Sequence, residues 1–522
     1  MPGSASTSFT GALATPHAAA TEAGAQAYRD GGTAIDAAIA AAAVLTVVYP
    51  HNVALGGDLI ALVRSPDGDV VCVNASGWAG RKGDVEALRA TYGTTLPMRG
   101  PDAVTVPGGV RGWQTLRTLG SRLPWHRTLS AAADAAAAGV PVSQSLSGHL
   151  NDPENHDLYG TTDFDRVFRP NGQPLHAGDV LRQPALADTF RLLQEGGPDA
   201  FYAGQLAERT VEYLRSRGSR LIVDDFTEFA AEVAQPLRAD FSGLTVLTSP
   251  PNTHGFLLLR ALRSLGEAGV ADALGSGFGS LMEIFGQGNR VRATALADPR
   301  HAAVDVHALI NDEPTAGRVP VLPAPGGDTV GISAVDSDGY AVSLIQSVYD
   351  AFGSGLIDPG TGILFHSRGR SFSLNELSPN VFAGRKRPLH TLMPTMTLKG
   401  GAVKHVLSTM GGQGQPQIIA QLLLRALQGS SAAEAVAAPR AAVGQQLNGV
   451  DAHTICAETD VDDAARTALM QSGLAVEWVR PHAEGLGQSN VVFVGADRSL
   501  TAASDPRSDG SAVVVQFARH RS

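Results

Sequence analysis

The stretch from Gly326 to Ser347 most constrains what this chain can fold into. Residues 332–335 are a short, mostly apolar run. Asp336-Ser337-Asp338-Gly339 carries turn chemistry, and residues 341–345 return as a second apolar run. That spacing predicts a β-hairpin. Thr329 opens it directly after Gly326-Gly327-Asp328, and residues 315–327 ahead of it contain Pro320, Pro323 and Pro325, the composition of an exposed loop. If the bond between Asp328 and Thr329 is cut, Thr329 becomes a new N-terminus. Its hydroxyl is then a nucleophile and its own α-amine the base. An α-amine has a pKa of about 7.7–8.0, so a useful fraction is neutral at physiological pH. Taken alone, Thr329 is also an ordinary β-branched residue at the start of a strand.

The whole chain bounds the reading. At 522 residues, length alone suggests about three or four domains. A hydrophobic content of 43% and a mean hydropathy of +0.01 allow a large core. The net charge of −10 argues against nucleic acid as a partner and leaves no basic patch for a membrane surface. Cys72 and Cys456 are the only cysteines, far apart and without metal spacing, so they are expected as buried free thiols. His17, His51 and His254 do not cluster by spacing, and neither a metal nor a cofactor is expected. Residues 1–20 have no Lys or Arg and no continuous apolar run, so no signal peptide is expected. The longest apolar run, residues 35–49, is interrupted by Asp36 and is too short to span a bilayer. The expectation is a cytoplasmic protein.

Along the chain, helical spacing covers residues 18–30 and 34–48, the second Ala-rich and apolar all round. Residues 59–64 and 70–74 flank Ser65-Pro66-Asp67-Gly68 as a hairpin. Residues 149–168 are polar and predict a surface loop or cover, with Asp152 and Glu154 as solvated charges. A strand is predicted at 244–248. After Thr329 the chain is strand-rich, apart from a helix at 417–429 and two shorter ones. Paired strands on both sides of Thr329, with helices concentrated before it, fit an α+β class with a sheet-on-sheet core and helical outer layers. Gly411-Gly412 joins a strand to the 417–429 helix. Two glycines there either make a tight turn or let backbone N–H groups approach an oxyanion closely. Gly56-Gly57-Asp58 lacks the Lys and the spacing of a phosphate loop.

Several segments, in order, resemble the γ-glutamyltransferase family. They are Asp30-Gly31-Gly32-Thr33-Ala34-Ile35-Asp36-Ala37-Ala38, Gly56-Gly57-Asp58, Val106-Pro107-Gly108-Gly109-Val110-Arg111-Gly112-Trp113, the Gly326 hairpin, Arg387-Pro388-Leu389-His390-Thr391-Leu392-Met393-Pro394-Thr395, Met410-Gly411-Gly412, and Ala503-Ser504-Asp505-Pro506-Arg507-Ser508-Asp509-Gly510. The matches cover nearly the whole chain. The resemblance implies a four-layer αββα sandwich of the N-terminal-nucleophile (Ntn) hydrolases. It implies a precursor that cuts itself between Asp328 and Thr329 into residues 1–328 and 329–522, with the two subunits remaining associated. It makes Thr329 the nucleophile, Ser347 the hydroxyl that bonds its amine, and Gly411 and Gly412 the oxyanion donors. Many family members are exported, so a chain without a signal peptide departs from them.

The acyl pocket departs from the family as well. Members that bind γ-glutamyl groups carry an Arg near the position of Ser76; here the next Arg is Arg81. Tyr349 stands for an Asn, Arg368 and Ser371 for a Gln and an Asp, and His390 and Thr391 for paired serines. The ammonium of a glutamyl group loses its acidic partner, and Arg368 adds a fork for a carboxylate; Arg368 is alternatively half of a structural ion pair. Arg368, Tyr349, Ser371, His390 and Thr391 are therefore the expected substrate-binding residues. The implied substrate is a small carboxylated molecule, either an oxalyl or 2-oxo-acid-like amide or a carbon–carbon bond cleaved in secondary metabolism such as alkylproline antibiotic synthesis. A true γ-glutamyltransferase and an uncleaved, non-catalytic relative are the other readings.

Overall fold

The predicted hairpin forms as Asp328–Asp336 against Ala341–Tyr349, at the centre of a seven-stranded antiparallel sheet. The computed structural model describes residues 6–311, 328–444 and 453–520. The proline-rich run at 315–327, expected as a loop and including Gly326 and Gly327, lies outside the described residues. The first sheet runs Ser511–His520, Ser6–Thr15, Asp328–Asp336, Ala341–Tyr349, Asp58–Arg64, Val70–Ala75, Glu232–Ala234. The second has six strands: Leu500–Ser504, Ser489–Val494, Ala402–Thr409, Thr395–Lys399, Leu244–Thr248 and Leu237–Phe241. Each sheet takes strands from both sides of Asp328.

The two sheets pack face to face, with helices outside each. The central strand shows why. Side chains alternate across a strand, and Val330, Ile332 and Ala334 bury with the helices Ala18–Arg29 and Ala34–Val48. All fifteen residues of Ala34–Val48 are buried, as its all-round apolar sequence requires. The alternate residues Gly331, Ser333 and Val335 face the second sheet. A Cβ on Gly331 would stand 2.8 Å from the Thr409 amide nitrogen, so glycine sets how closely the sheets approach. Ser333 Oγ donates to the Asn490 carbonyl at 2.8 Å. Leu258, Leu281, Phe285, Ile419 and Leu422, on helices Phe256–Glu267, Phe278–Ala295 and Gln415–Leu427, cover the outer face of the second sheet.

Residues 149–168, expected as a surface loop or cover, do not form an irregular loop. They include the end of helix Gln144–Asn151, a 3₁₀ turn at Pro153–Leu158 and helix Thr162–Phe168. Leu150, Leu158, Phe164 and Phe168, thinly spaced among polar residues, bury together against Phe352. Cys72 and Cys456 are free and buried, as expected.

Candidate active site

Thr329 is the second residue of its strand, at the edge of the space between the sheets, and is almost wholly buried. Ser347 pairs with it in register, and Asp58 pairs with Ser347 from the next strand. Directly opposed residues share a face of a sheet, so Thr329, Ser347 and Asp58 form a row facing the second sheet. Thr329 Oγ1 donates to Ser347 Oγ at 3.1 Å, and Ser347 Oγ donates to the Asp328 carbonyl at 2.7 Å. Asn52 Nδ2 donates to the Thr329 carbonyl at 3.3 Å. Just beyond Ser347 the register shifts, and Tyr349 takes a left-handed φ of 81°. Such an irregularity re-aims the strand end; here it sends the Tyr349 N–H back to Ser347 Oγ at 2.8 Å.

At the far end of the row, Asp58 is a buried hub. Arg368 donates to it from Nε at 2.8 Å and from Nη2 at 3.3 Å. The fork expected to be open for a substrate carboxylate therefore holds Asp58. Arg368 Nη1 donates to Thr391 Oγ1 at 3.1 Å, and the guanidinium lies 4.3 Å from the centre of the Tyr349 ring. His390 Nε2 lies 2.7 Å from Asp58 Oδ2, while its Nδ1 accepts from the Leu392 N–H at 3.2 Å. That pattern assigns the proton of a neutral ring to Nε2. Burial and the Arg368 charge push His390 down to about 4, against the pull of Asp58. Burial works to raise the Asp58 carboxyl, but Arg368 and His390 outweigh it and hold it well below the usual carboxylate range. Arg368, Tyr349, His390 and Thr391 are thus brought together. Ser371 ends the same 3₁₀ turn as Arg368, and its buried hydroxyl has no hydrogen-bond partner among the described residues.

Gly411 and Gly412 follow the strand Ala402–Thr409 and lead through a 3₁₀ turn into helix Gln415–Leu427. Both have positive φ, 140° and 48°, so the sequence needs glycine there. The first amides of a helix have no intrahelical acceptor and carry its positive end. The next residue, Gln413, accepts from Arg292, once through its carbonyl at 3.3 Å and once through Oε1. On the other side of Thr329, His149 Nε2 lies 3.2 Å from an Asp328 carboxylate oxygen. His51, His149 and Glu484 present ring nitrogens and a carboxylate within 4.8 Å of one another. The spacing of His17, His51 and His254 did not reveal this group. It is hydrogen-bonded as it stands: His51 to Ser145, Glu484 to Ser145 and Gln488, His149 to Asp328 and the Ser145 carbonyl. Burial works against a charged His149, yet the hydrogen bond and charge of Asp328, with Glu484, push it up to about 10.

Sequence reasoning passed over Asp58, His149 and Arg292. Asp58 was within reach: it is the acidic end of Gly56-Gly57-Asp58 and opens an otherwise apolar strand. Arg292 lies in an ordinary-looking helix, and no local signal marks it.

Cephalosporin acylase from Bacillus halodurans superposes with a TM-score of 0.88 at 28% identity, over 98% of this chain and 97% of that one. The fold is that of the Ntn hydrolases, and the protein is an enzyme of that class. The family model described as Gamma-glutamyltranspeptidase matches residues 20–515, and the chain belongs to that family. The glutathione hydrolase-like YwrD proenzyme of Bacillus subtilis is 34% identical over 96% of this chain and 98% of its own length. The oxamate amidohydrolase proenzyme of Klebsiella pneumoniae is 34% identical over 98% of this chain and 99% of its own. Relatives named for substrates other than a γ-glutamyl group are therefore among its kin. No helix among the described residues is long and apolar enough to cross a membrane.

Proposed function

We propose that the chain is a precursor that cuts itself before Thr329 and then hydrolyses a small carboxylated amide through an acyl-Thr329 ester. The observation that carries this reading is the hydrogen-bond chain from Thr329 Oγ1 through Ser347 Oγ to the Asp328 carbonyl. In self-cleavage the hydroxyl oxygen attacks that carbonyl carbon. Its proton passes to Ser347, whose own proton passes to the carbonyl oxygen. The C–N bond then breaks, the nitrogen takes a proton, and an ester remains on Thr329. Water hydrolyses the ester, leaving the Asp328 carboxylate and a free α-amine. Of a 522-residue chain this leaves pieces of 328 and 194 residues.

In turnover the α-amine takes the hydroxyl proton as Thr329 attacks the substrate amide. The oxyanion falls to the Gly411 and Gly412 N–H groups. The amine leaves with a proton, and water releases the acid. A short acyl group such as that of oxamate suits the pocket better than γ-glutamyl. Arg368 is flanked by Tyr349 and Thr391, and its Asp58 partner is already committed, so no free carboxylate is on offer for an ammonium. The likeness to the oxamate amidohydrolase supports the same choice. In this reading Arg368, Tyr349, His390, Thr391 and Ser371 form the wall of the acyl pocket.

A denaturing gel with mass spectrometry tests the first half. Wild type yields the two pieces, and Thr329→Ala stays whole; cutting of Thr329→Ala at the same bond would assign the cleavage to another protease. For the second half, ammonia release from oxamate is compared with anilide release from a γ-glutamyl anilide. Faster turnover of the anilide would return the protein to glutamyl substrates.

A further inference from the structure

The buried cations of this protein are mostly accounted for. Arg368 holds Asp58, Arg370 holds Asp350, Arg387 holds Asp298, Arg440 holds Asp505 and Arg507 holds Glu458. Arg292 is different. It is 2% exposed, and among the described residues no carboxylate lies within ion-pair distance of it. Its two hydrogen bonds go to neutral oxygens of Gln413, and its Nε is buried without an acceptor. A buried cation without a counter-ion is costly, and so is a buried donor without an acceptor. Burial pushes the guanidinium down to about 10, and Tyr349 opposes that shift. His254 also faces Arg292.

The place of this charge matters. Gln413 immediately follows Gly412, so Arg292, bonded to Gln413, stands beside the oxyanion turn. We propose that Arg292 receives the substrate's carboxylate, and that the substrates are those whose carboxylate is bonded directly to the attacked carbonyl, as in an oxalyl amide. This deepens the reading above and rests on it. In an oxalyl group the carboxylate carbon is one bond, about 1.5 Å, from the carbonyl carbon whose oxygen the glycines hold. In a γ-glutamyl group it is four bonds away. A cation one residue from the oxyanion donors fits the first and is too near for the second. Two of the five guanidinium donors are spent on Gln413, which leaves the Nε edge for a carboxylate.

The test compares oxamate with its neutral analogue ethyl oxamate, using matured wild type, Arg292→Gln and Arg292→Lys, with oxalate binding measured by calorimetry on the same samples. Wild type should favour oxamate in kcat/KM by ~100-fold, the scale of a hydrogen-bonded charge pair. Arg292→Gln should lose that preference, chiefly through KM, while still turning over ethyl oxamate and cutting itself. Arg292→Lys keeps the charge without the fork and should fall between the two. Oxalate should bind wild type and not Arg292→Gln. An unchanged oxamate-to-ester ratio in either variant overturns the proposal. So does an equal loss on both substrates, which would make Arg292 a prop for the Gln413 turn. If wild type matures but ignores oxamate, the proposed hydrolysis fails on its own; oxalate binding that depends on Arg292 would still support the site, and binding that is absent or indifferent to Arg292 would overturn it. If Arg292→Gln does not fold, the ratio in Arg292→Lys decides.

Discussion

At the scale of single residues, the site works through backbone positions that tolerate little substitution. A Cβ on Gly411 would stand 2.4 Å from Ile418 Cδ1, at a φ of 140° that L side chains rarely adopt. If the glycine N–H groups are the oxyanion donors proposed above, Gly411→Val should displace them and lower kcat by about 10²–10³, the usual cost of one such donor. Steady-state kinetics on matured enzyme, with a thermal melt beside them, check this; an unchanged kcat in a folded variant removes Gly411 from the site. His149 gives a pH signature. Its value near 10 lies above its ordinary one of about 6.5, so its contribution to the stability of the uncleaved chain is whole below about pH 6.5 and is lost as pH rises through about 10. Melting temperatures of Thr329→Ala should fall with pH across that window. They should fall less when Asp328→Asn is added, because the partner that raises His149 is then neutral. Arg368 shows the limit of motif reading at this scale. Its place marks it as a pocket residue, but its partner Asp58 is 310 positions away, and only the fold shows that the fork is filled.

At the scale of elements, the hairpin was legible because turn chemistry and apolar runs are local. Its strands are longer than the sequence suggested, extending to Asp328 and Tyr349, because burial between two layers lets Ser343, Gln346 and Ser347 sit inside. The two hydroxyls are paired, as in the bond from Ser343 Oγ to the Leu407 carbonyl at 2.8 Å, and Gln346 Oε1 accepts from Trp113 Nε1 at 3.0 Å. The sheet-to-sheet approach rests on Gly331. Gly331→Val should cost about 1–3 kcal/mol in urea unfolding, as overpacking does. It should also slow self-cleavage, because Thr329 is two residues away on the same face. Wild-type stability in that variant would mean that the sheets have room to part. The segment 149–168 looked polar because Leu150, Leu158, Phe164 and Phe168 are thinly spaced along the chain, yet they converge once helical segments bring them together.

At the scale of the whole molecule, the cut before Thr329 would not divide two domains. Asp328–Asp336 lies between Ser6–Thr15 and Ala341–Tyr349, and Ser511–His520 closes the sheet beyond Ser6–Thr15. In the second sheet, Leu244–Thr248 pairs with Thr395–Lys399. Separating the pieces would open four ladders, three in the first sheet and one in the second, and the core between them. The 328- and 194-residue fragments should therefore elute together on gel filtration and part only in denaturant. Separation in plain buffer would contradict this interleaving. The length-based expectation of several domains gives way for the same reason: strands from both halves complete each sheet.

The sequence by itself determined the hairpin, the buried Ala-rich helix, the two glycines and the order of motifs that define the family. These depend on neighbours a few residues apart, or on a pattern that survives along the chain. Tertiary structure alone decided that Asp58 neutralises Arg368, that His149 faces Asp328, and that Arg292 has no carboxylate partner among the described residues. Charge pairing depends on distance in space, and residues brought together from 121 to 310 positions apart by crossing strands and loops leave no mark in local sequence.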